Sequence, residues 1–182
     1  MNKTLLSAAL IAGFGVAAFA PQTARAVDGT ITINGKVTSS TCAINAPGGA
    51  SFTVTLPTVA VTALSTTGSV AGTTPFALTL TTCTFATAGN VSTYFEPSAT
   101  NILPDGNLKN TAATNGVEVR LLNSTSTPLA LNGLSGSQNA STAAVTTSST
   151  GATLNYFAQY FAASAVTPGA VAAQVTYSIT YP

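Results

Sequence analysis

The chain has no histidine, and that absence removes the Ser-His-acid triad, the Cys-His dyad and the commonest zinc ligand together. Acids are almost as scarce: Asp28, Glu96, Asp105 and Glu118 are the whole set. Glu96 with Glu118 is an arithmetically possible glycosidase-like pair, but solvated acids on strands and loops are the plainer reading. Asp105-Gly106-Asn107 begins like a calcium loop, yet the further acidic ligands and the closing Glu are missing, so it reads as a turn. No Gly-rich phosphate loop occurs. No catalytic residue, metal site or cofactor is therefore expected, and the chain does not read as an enzyme.

Cations are equally few. Lys3, Arg25, Lys36, Lys109 and Arg120 form no basic patch, which argues against nucleic-acid binding. Lys109 and Arg120 read as isolated, solvated charges. Long apolar runs are missing except at the start. Lys3, the apolar stretch Leu5 to Ala20 and the small-x-small site Ala24-Arg25-Ala26 make a secretory signal peptide over residues 1–26. An uncleaved anchor helix is the competing reading. No later run is long enough to span a bilayer, so no membrane insertion of the mature chain is expected. Cleavage after Ala26 leaves three cations and four acids, a net charge of about −1 (3 − 4). So little charge on an exported domain points to a surface that ends up packed in an assembly.

Cysteine is limited to Cys42 and Cys83. An even count behind a signal peptide implies an oxidising compartment and one disulfide. Closing a loop of about forty residues contributes roughly 4 kcal/mol in the chain-entropy model. Free reactive thiols are the alternative, but no cation close in sequence lowers a thiol pKa.

What the chain does have is alternation. Apolar residues alternate with Thr, Ser or Asn at Ile31, Ile33 and Val37; at Phe52, Val54 and Leu56; and at Phe76, Leu78 and Leu80. The pattern returns over Val91 to Phe95, at Val117, Val119 and Leu121, briefly at Leu129 and Leu131, and at Val175, Tyr177, Ile179 and Tyr181. Tyr156 to Phe161 is aromatic on both faces. Gly, Pro, Asn and Ser clusters punctuate these runs as turns. One short helical turn fits near Val59 to Leu64. The Ser/Thr/Ala-rich stretch Ser135 to Thr153 reads as an exposed loop or edge strand rather than a linker. Seven or more short strands at this spacing make an all-β antiparallel sandwich in one domain.

The two ends of the mature chain are the most specific part of the sequence. GTITINGKVTSSTC near the start, GVEVRLLNSTSTPLALNG in the middle and NYFAQYFAASAVTPGAVAAQVTYSITYP at the end stand in an order and spacing that resembles the type 1 fimbrial major-subunit family. That resemblance implies an incomplete immunoglobulin-like β-sandwich, the pilin fold, lacking its final strand. It implies a domain over residues 38–182 preceded by an N-terminal donor-strand extension over residues 27–37. The partners it implies are identical or related pilin subunits, a periplasmic chaperone and an outer-membrane usher, with the chain exported to the cell-surface fimbrium. The role implied is a structural subunit of a fimbria supporting cell adhesion, with a minor adapter or tip-associated subunit as the alternative.

Under that resemblance Gly29, Ile31, Ile33, Gly35 and Val37 form the face of the donor strand. Val175, Tyr177, Ile179, Tyr181 and Pro182 form the groove edge that a chaperone or a neighbour recognises. The glycines suit narrow points of a groove. Burying Ile31, Ile33 and Val37 contributes roughly 1.5–3 kcal/mol each. The plainer alternative is that residues 29–37 are the domain's own first strand.

Overall fold

The computed structural model describes residues 31–44 and 49–182. The expected signal peptide over residues 1–26, Gly29 and most of the turn at 46–50 lie outside the described residues. Residues 31–36 belong to an N-terminal unit, and Val37–Pro182 form the compact domain.

Among the described residues, seven strands build two antiparallel sheets. In chain order they are β1 (Thr41–Ile44), β2 (Val70–Thr84), β3 (Gly89–Phe95), β4 (Val117–Asn123), β5 (Thr142–Val145), β6 (Ala152–Ala162) and β7 (Tyr177–Thr180). A four-stranded sheet runs β1-β2-β6-β4 and a three-stranded sheet runs β5-β3-β7. The expected helical turn is a short 3-10 helix, Val61–Leu64, which buries Leu64.

Alternation in the sequence becomes alternation in burial, because successive strand residues face opposite sides. In β4, Val117, Val119 and Leu121 point inward while Glu118 and Arg120 do not. In β6, Leu154, Tyr156 and Ala158 are buried in the main core with Leu78, Phe95 and Leu131. Aromatic rings run through this core in sequence. Phe52 meets Phe76 at 6.1 Å, Phe76 meets Tyr156 at 5.5 Å, and Tyr156 meets Phe95 edge-on at 5.4 Å. A second cluster holds Leu80, Cys83, Phe85, Val91 and Val145 beside the Cys42–Cys83 disulfide.

β2 starts earlier than its apolar run and carries a bulge between Ala71 and Thr74. Gly72 makes the bulge possible. Its φ is +66°, and a Cβ there would sit 3.0 Å from the Tyr160 ring.

Three expected alternating runs are absent from the ladders, the first being Ile31, Ile33 and Val37, since residues 31–40 carry no strand. Leu129 and Leu131 are buried, but in a loop whose main chain bonds from Leu129 to Leu121 at 2.9 Å and from Ala130 to Gln138 at 3.1 Å. Phe52, Val54 and Leu56 keep their alternation and pack on the main core, yet residues 51–59 join no sheet.

The expectation for Arg120 needs correcting. It is not an isolated charge: its guanidinium lies 3.6 Å above the Phe161 ring, and its Nε donates to Asn107 Oδ1 at 2.9 Å. The pairing Arg120↔Gln159 and Glu118↔Phe161 sets Phe161 beside it on the outer face of the sheet.

Candidate functional site

The site is a gap in main-chain pairing along one side of the sandwich. One wall is the C-terminal segment. From Val171 onward every odd-numbered residue is half-buried and every even-numbered one exposed, up to Tyr181. Val171, Ala173, Val175, Tyr177 and Ile179 pack on the main core, and Ile179 and Tyr181 on the second cluster. Tyr181 also approaches Phe85 at 6.3 Å. The expected edge residues Val175, Tyr177, Ile179 and Tyr181 thus form one continuous apolar row.

The backbone of that row is paired on one side only. β7 matches β3 from Ser92↔Thr180 to Phe95↔Tyr177, and Glu96 N donates to Thr176 O at 2.9 Å. Ser178 Oγ donates to Glu96 Oε1 at 2.7 Å. Further upstream, Asn110 Oδ1 accepts from Ala172 N at 3.0 Å and its Nδ2 donates to Ala170 O at 3.1 Å. Thr111 N donates to Ala172 O at 2.8 Å. Between these anchors, the main chain of residues 173–175 makes no hydrogen bond to any described residue. At the far end Pro182 O accepts from Thr87 Oγ1 at 3.2 Å, and Pro182 packs so closely on Gly89 that no Cβ would fit there.

The other wall is the segment 51–59. Phe52, Val54 and Leu56 turn toward the core, Thr53 and Thr55 outward, and its main chain makes no hydrogen bond with any described residue. It stands off β2 as well, since a cleft of about 180 Å³ is lined by Phe52–Thr55 on one side and Thr74–Ala77 on the other. An extended run with half its side chains in the core and no main-chain partner is unusual, because buried or half-buried N–H and C=O groups normally find one. The two walls touch where the Tyr177 hydroxyl donates to Ala50 O at 2.6 Å. Partial burial pushes the Tyr177 phenol pKa up.

Ile31 and Ile33 are each 90% exposed and Val37 is 100% exposed. Gly35 has no neighbouring atom within 4 Å of where a Cβ would stand.

Two buried polar side chains hold this architecture together. Gln138, 2% exposed, accepts from Phe95 N at 2.9 Å and donates to Phe95 O at 2.7 Å, Leu131 O at 3.1 Å and Gly133 O at 3.1 Å. Asn107, also 2% exposed, donates through Nδ2 to Asp105 Oδ2 at 2.6 Å and Glu118 Oε2 at 2.8 Å. Asp105 itself caps the turn, its Oδ1 accepting from Asn107 N at 3.1 Å. Glu96 and Glu118 therefore serve separate structural partners. Among the described residues there is no group of three or more His, Cys, Asp or Glu, and no helix long and apolar enough to cross a membrane.

Known fimbrial proteins resemble this chain in sequence and in fold. The family model for type-1 fimbrial protein A, FimA, matches residues 56–182. The major fimbrial subunit SMF-1 of Stenotrophomonas maltophilia is 47% identical over 169 residues, covering 90% of this chain and 98% of that protein. The F17 fimbrial protein of Escherichia coli is 39% identical over 174 residues, covering 92% and 95%. In fold, a chain from a chaperone-usher pilus superposes with a TM-score of 0.61 at 20% identity, covering 90% of this chain and 100% of that one. The P pilus rod subunit PapA superposes with a TM-score of 0.58 at 19% identity, covering 78% and 99%.

Proposed function

The chain belongs to the type-1 fimbrial protein family, and from that premise we propose that it is a shaft-building subunit that polymerises by lending a strand to its neighbour. As a fimbrial subunit it is a structural component of a surface appendage, not a catalyst. The donor is the segment 27–37 of one copy, and the acceptor is the gap between residues 51–59 and 171–181 of the next.

The observation that carries this reading is the pairing deficit. Residues 51–59 lack main-chain partners among the described residues, and β7 has β3 alone. One inserted strand supplies hydrogen bonds to both walls at once, which is strand addition to an exposed edge. Each new bond adds about 0.5–1.5 kcal/mol net. Ile31, Ile33 and Val37 go from almost full exposure to burial on the core, each contributing roughly 1.5–3 kcal/mol. Gly35 suits a narrow point, and its own surroundings leave its Cβ position empty.

An open gap of this kind needs temporary cover in the periplasm. A chaperone strand laid along Val175, Tyr177, Ile179 and Tyr181 serves that purpose, with Pro182 at the end of the row, and an outer-membrane usher is the place of exchange.

The test is removal of residues 27–37 from the mature chain. Chaperone-bound subunit should still be recovered, since the acceptor is untouched, while the detergent-resistant ladder of polymer disappears. Ile33→Asp should give the same loss, with the unfolding midpoint of the chaperone complex unchanged because Ile33 is 90% exposed. Normal fibres from either protein would falsify the assignment.

A further inference from the structure

The two sheets have four edges, and three of them are occupied or blunted. β1 is short, carries a register shift between Thr41 and Ala43, and is pinned by the Cys42–Cys83 disulfide. β4 is covered by Leu108 and Pro128, which bridge to Val119 and Leu122. β7 borders the acceptor gap. The fourth edge is β5.

β5 is as short as β1, but it lacks the other usual protections of an edge. Its ladder with β3 is regular, from Gly89↔Val145 to Ser92↔Thr142, with no bulge. Residues 142–145 contain no proline and no charge. Their main chain makes no hydrogen bond to a described residue other than β3. The strand is nevertheless held firmly at its base, where Ser141 Oγ donates to Asn155 O at 2.6 Å and accepts from Ser124 N at 3.0 Å. A regular, uncharged edge is a template for another strand.

We propose that β5 pairs antiparallel with β5 of a second copy in a neighbouring fibre, so that the fibres associate side by side. Three features select a second copy as the occupant. An antiparallel strand pair about a two-fold axis is self-complementary, so one edge satisfies both partners. No Asp, Glu, Lys or Arg occurs anywhere from residue 121 to residue 182, so β5 and the strands that follow it meet their counterparts without like-charge repulsion. The exposed row is small, Thr142 and Ala144, so no bulky side chain holds the backbones apart. In a register that keeps the exposed rows on one face, Ala144 of one copy lies across from Thr142 or Ala144 of the other.

A single four-residue pairing buries far less than the ~1,200 Å² of a stable interface. Isolated subunits therefore do not dimerise stably through it. Repetition along a polymer changes that, because each contact formed raises the effective concentration for the next. The inference thus rests on the polymer reading of the preceding subsection.

The test is a charge swap at Ala144, an exposed position. Fibres of Ala144→Lys and of Ala144→Glu are assembled separately, and lateral association is read by light scattering and electron microscopy at ~0.15 M salt. Wild-type fibres should bundle. Each variant alone should show at least a tenfold lower bundled fraction, and an equimolar mixture of the two should recover it. Variant fibres that bundle like wild type, a mixture that stays dispersed, or wild-type fibres that never associate each overturn the proposal. The detergent-resistant ladder is read on the same samples. Its absence in wild type counts against the polymer reading instead. In that case the chain is tethered in many copies to beads, which restores the repetition, and bead clustering is read for the wild type, each variant and their mixture; no difference among them overturns the β5 pairing.

Discussion

The phenol of Tyr177 and the carbonyl of Ala50 are 127 positions apart in the chain and 2.6 Å apart in the fold. Tyr177 sits on β7 and Ala50 leads into the extended segment 51–59, so this bond spans the two walls of the gap. It joins segments that no strand joins.

Tyr177→Phe removes this bond and leaves the ring. The loss should be small, about 0.5–1 kcal/mol, because the hydroxyl is solvent-accessible and regains water. Denaturant unfolding of the unpolymerised subunit measures it. Cleavage by a protease between residues 50 and 57 should also quicken, since residues 51–57 have no main-chain bond to any described residue to hold them.

Gln138→Leu tests the buried amide that ties a loop to β3. The substitution strands Phe95 N and takes a donor from Phe95 O, Leu131 O and Gly133 O, all in a closed environment. Unsatisfied buried groups cost about 1–3 kcal/mol each, so a total loss of roughly 3 kcal/mol or more is expected. Equilibrium unfolding in urea gives the value. A loss under about 1 kcal/mol would show that the loop rearranges to repair its own bonds.

Glu118 gives a pH signature. Burial raises its pKa, against the lowering effect of the Asn107 hydrogen bond; Asp105 raises it further and Arg120 lowers it. A carboxyl whose folded pKa lies above its unfolded one contributes stability at low pH that is lost as pH rises through the folded value. Glu118→Gln removes that term while its amide oxygen still accepts from Asn107. The variant should be more stable than wild type at pH 7, with the difference shrinking as pH falls into the carboxylate range. Thermal unfolding at a series of pH values reads this, and a difference independent of pH would contradict the assigned cause.

The Cys42–Cys83 bond closes a loop across β1 and β2, at a separation of 41 residues. Replacing both cysteines by serine should cost roughly 4 kcal/mol. Since the unpolymerised domain also lacks strand partners along its gap, the doubly substituted subunit should accumulate poorly in the periplasm. Chaperone complex yield and the unfolding midpoint measure the two parts of this effect.

The amino-acid sequence by itself determined which residues face inward. Alternation at Val117, Val119 and Leu121, at Val91 to Phe95 and along Val175 to Tyr181 was legible because the strand repeat of two is a property of the local backbone. The edge character of the 135–153 stretch and the short helical turn near residue 61 were legible for the same reason: turn residues and strand formers act locally.

Tertiary structure alone decided the pairing. Phe52, Val54 and Leu56 alternate as well as any strand, yet residues 51–59 join no ladder, because period two reports which side chains are buried and says nothing of which edges are hydrogen-bonded. Gln138 lies in a Ser- and Gly-rich loop with no distinguishing neighbour, and its importance appears only when Phe95 comes within 3 Å of it from 43 positions away. Arg120 looked solitary until β4 aligned with β6 and set Phe161 beneath it. Hydrogen bonds and ring contacts between distant segments depend on register and topology, which the whole fold selects at once.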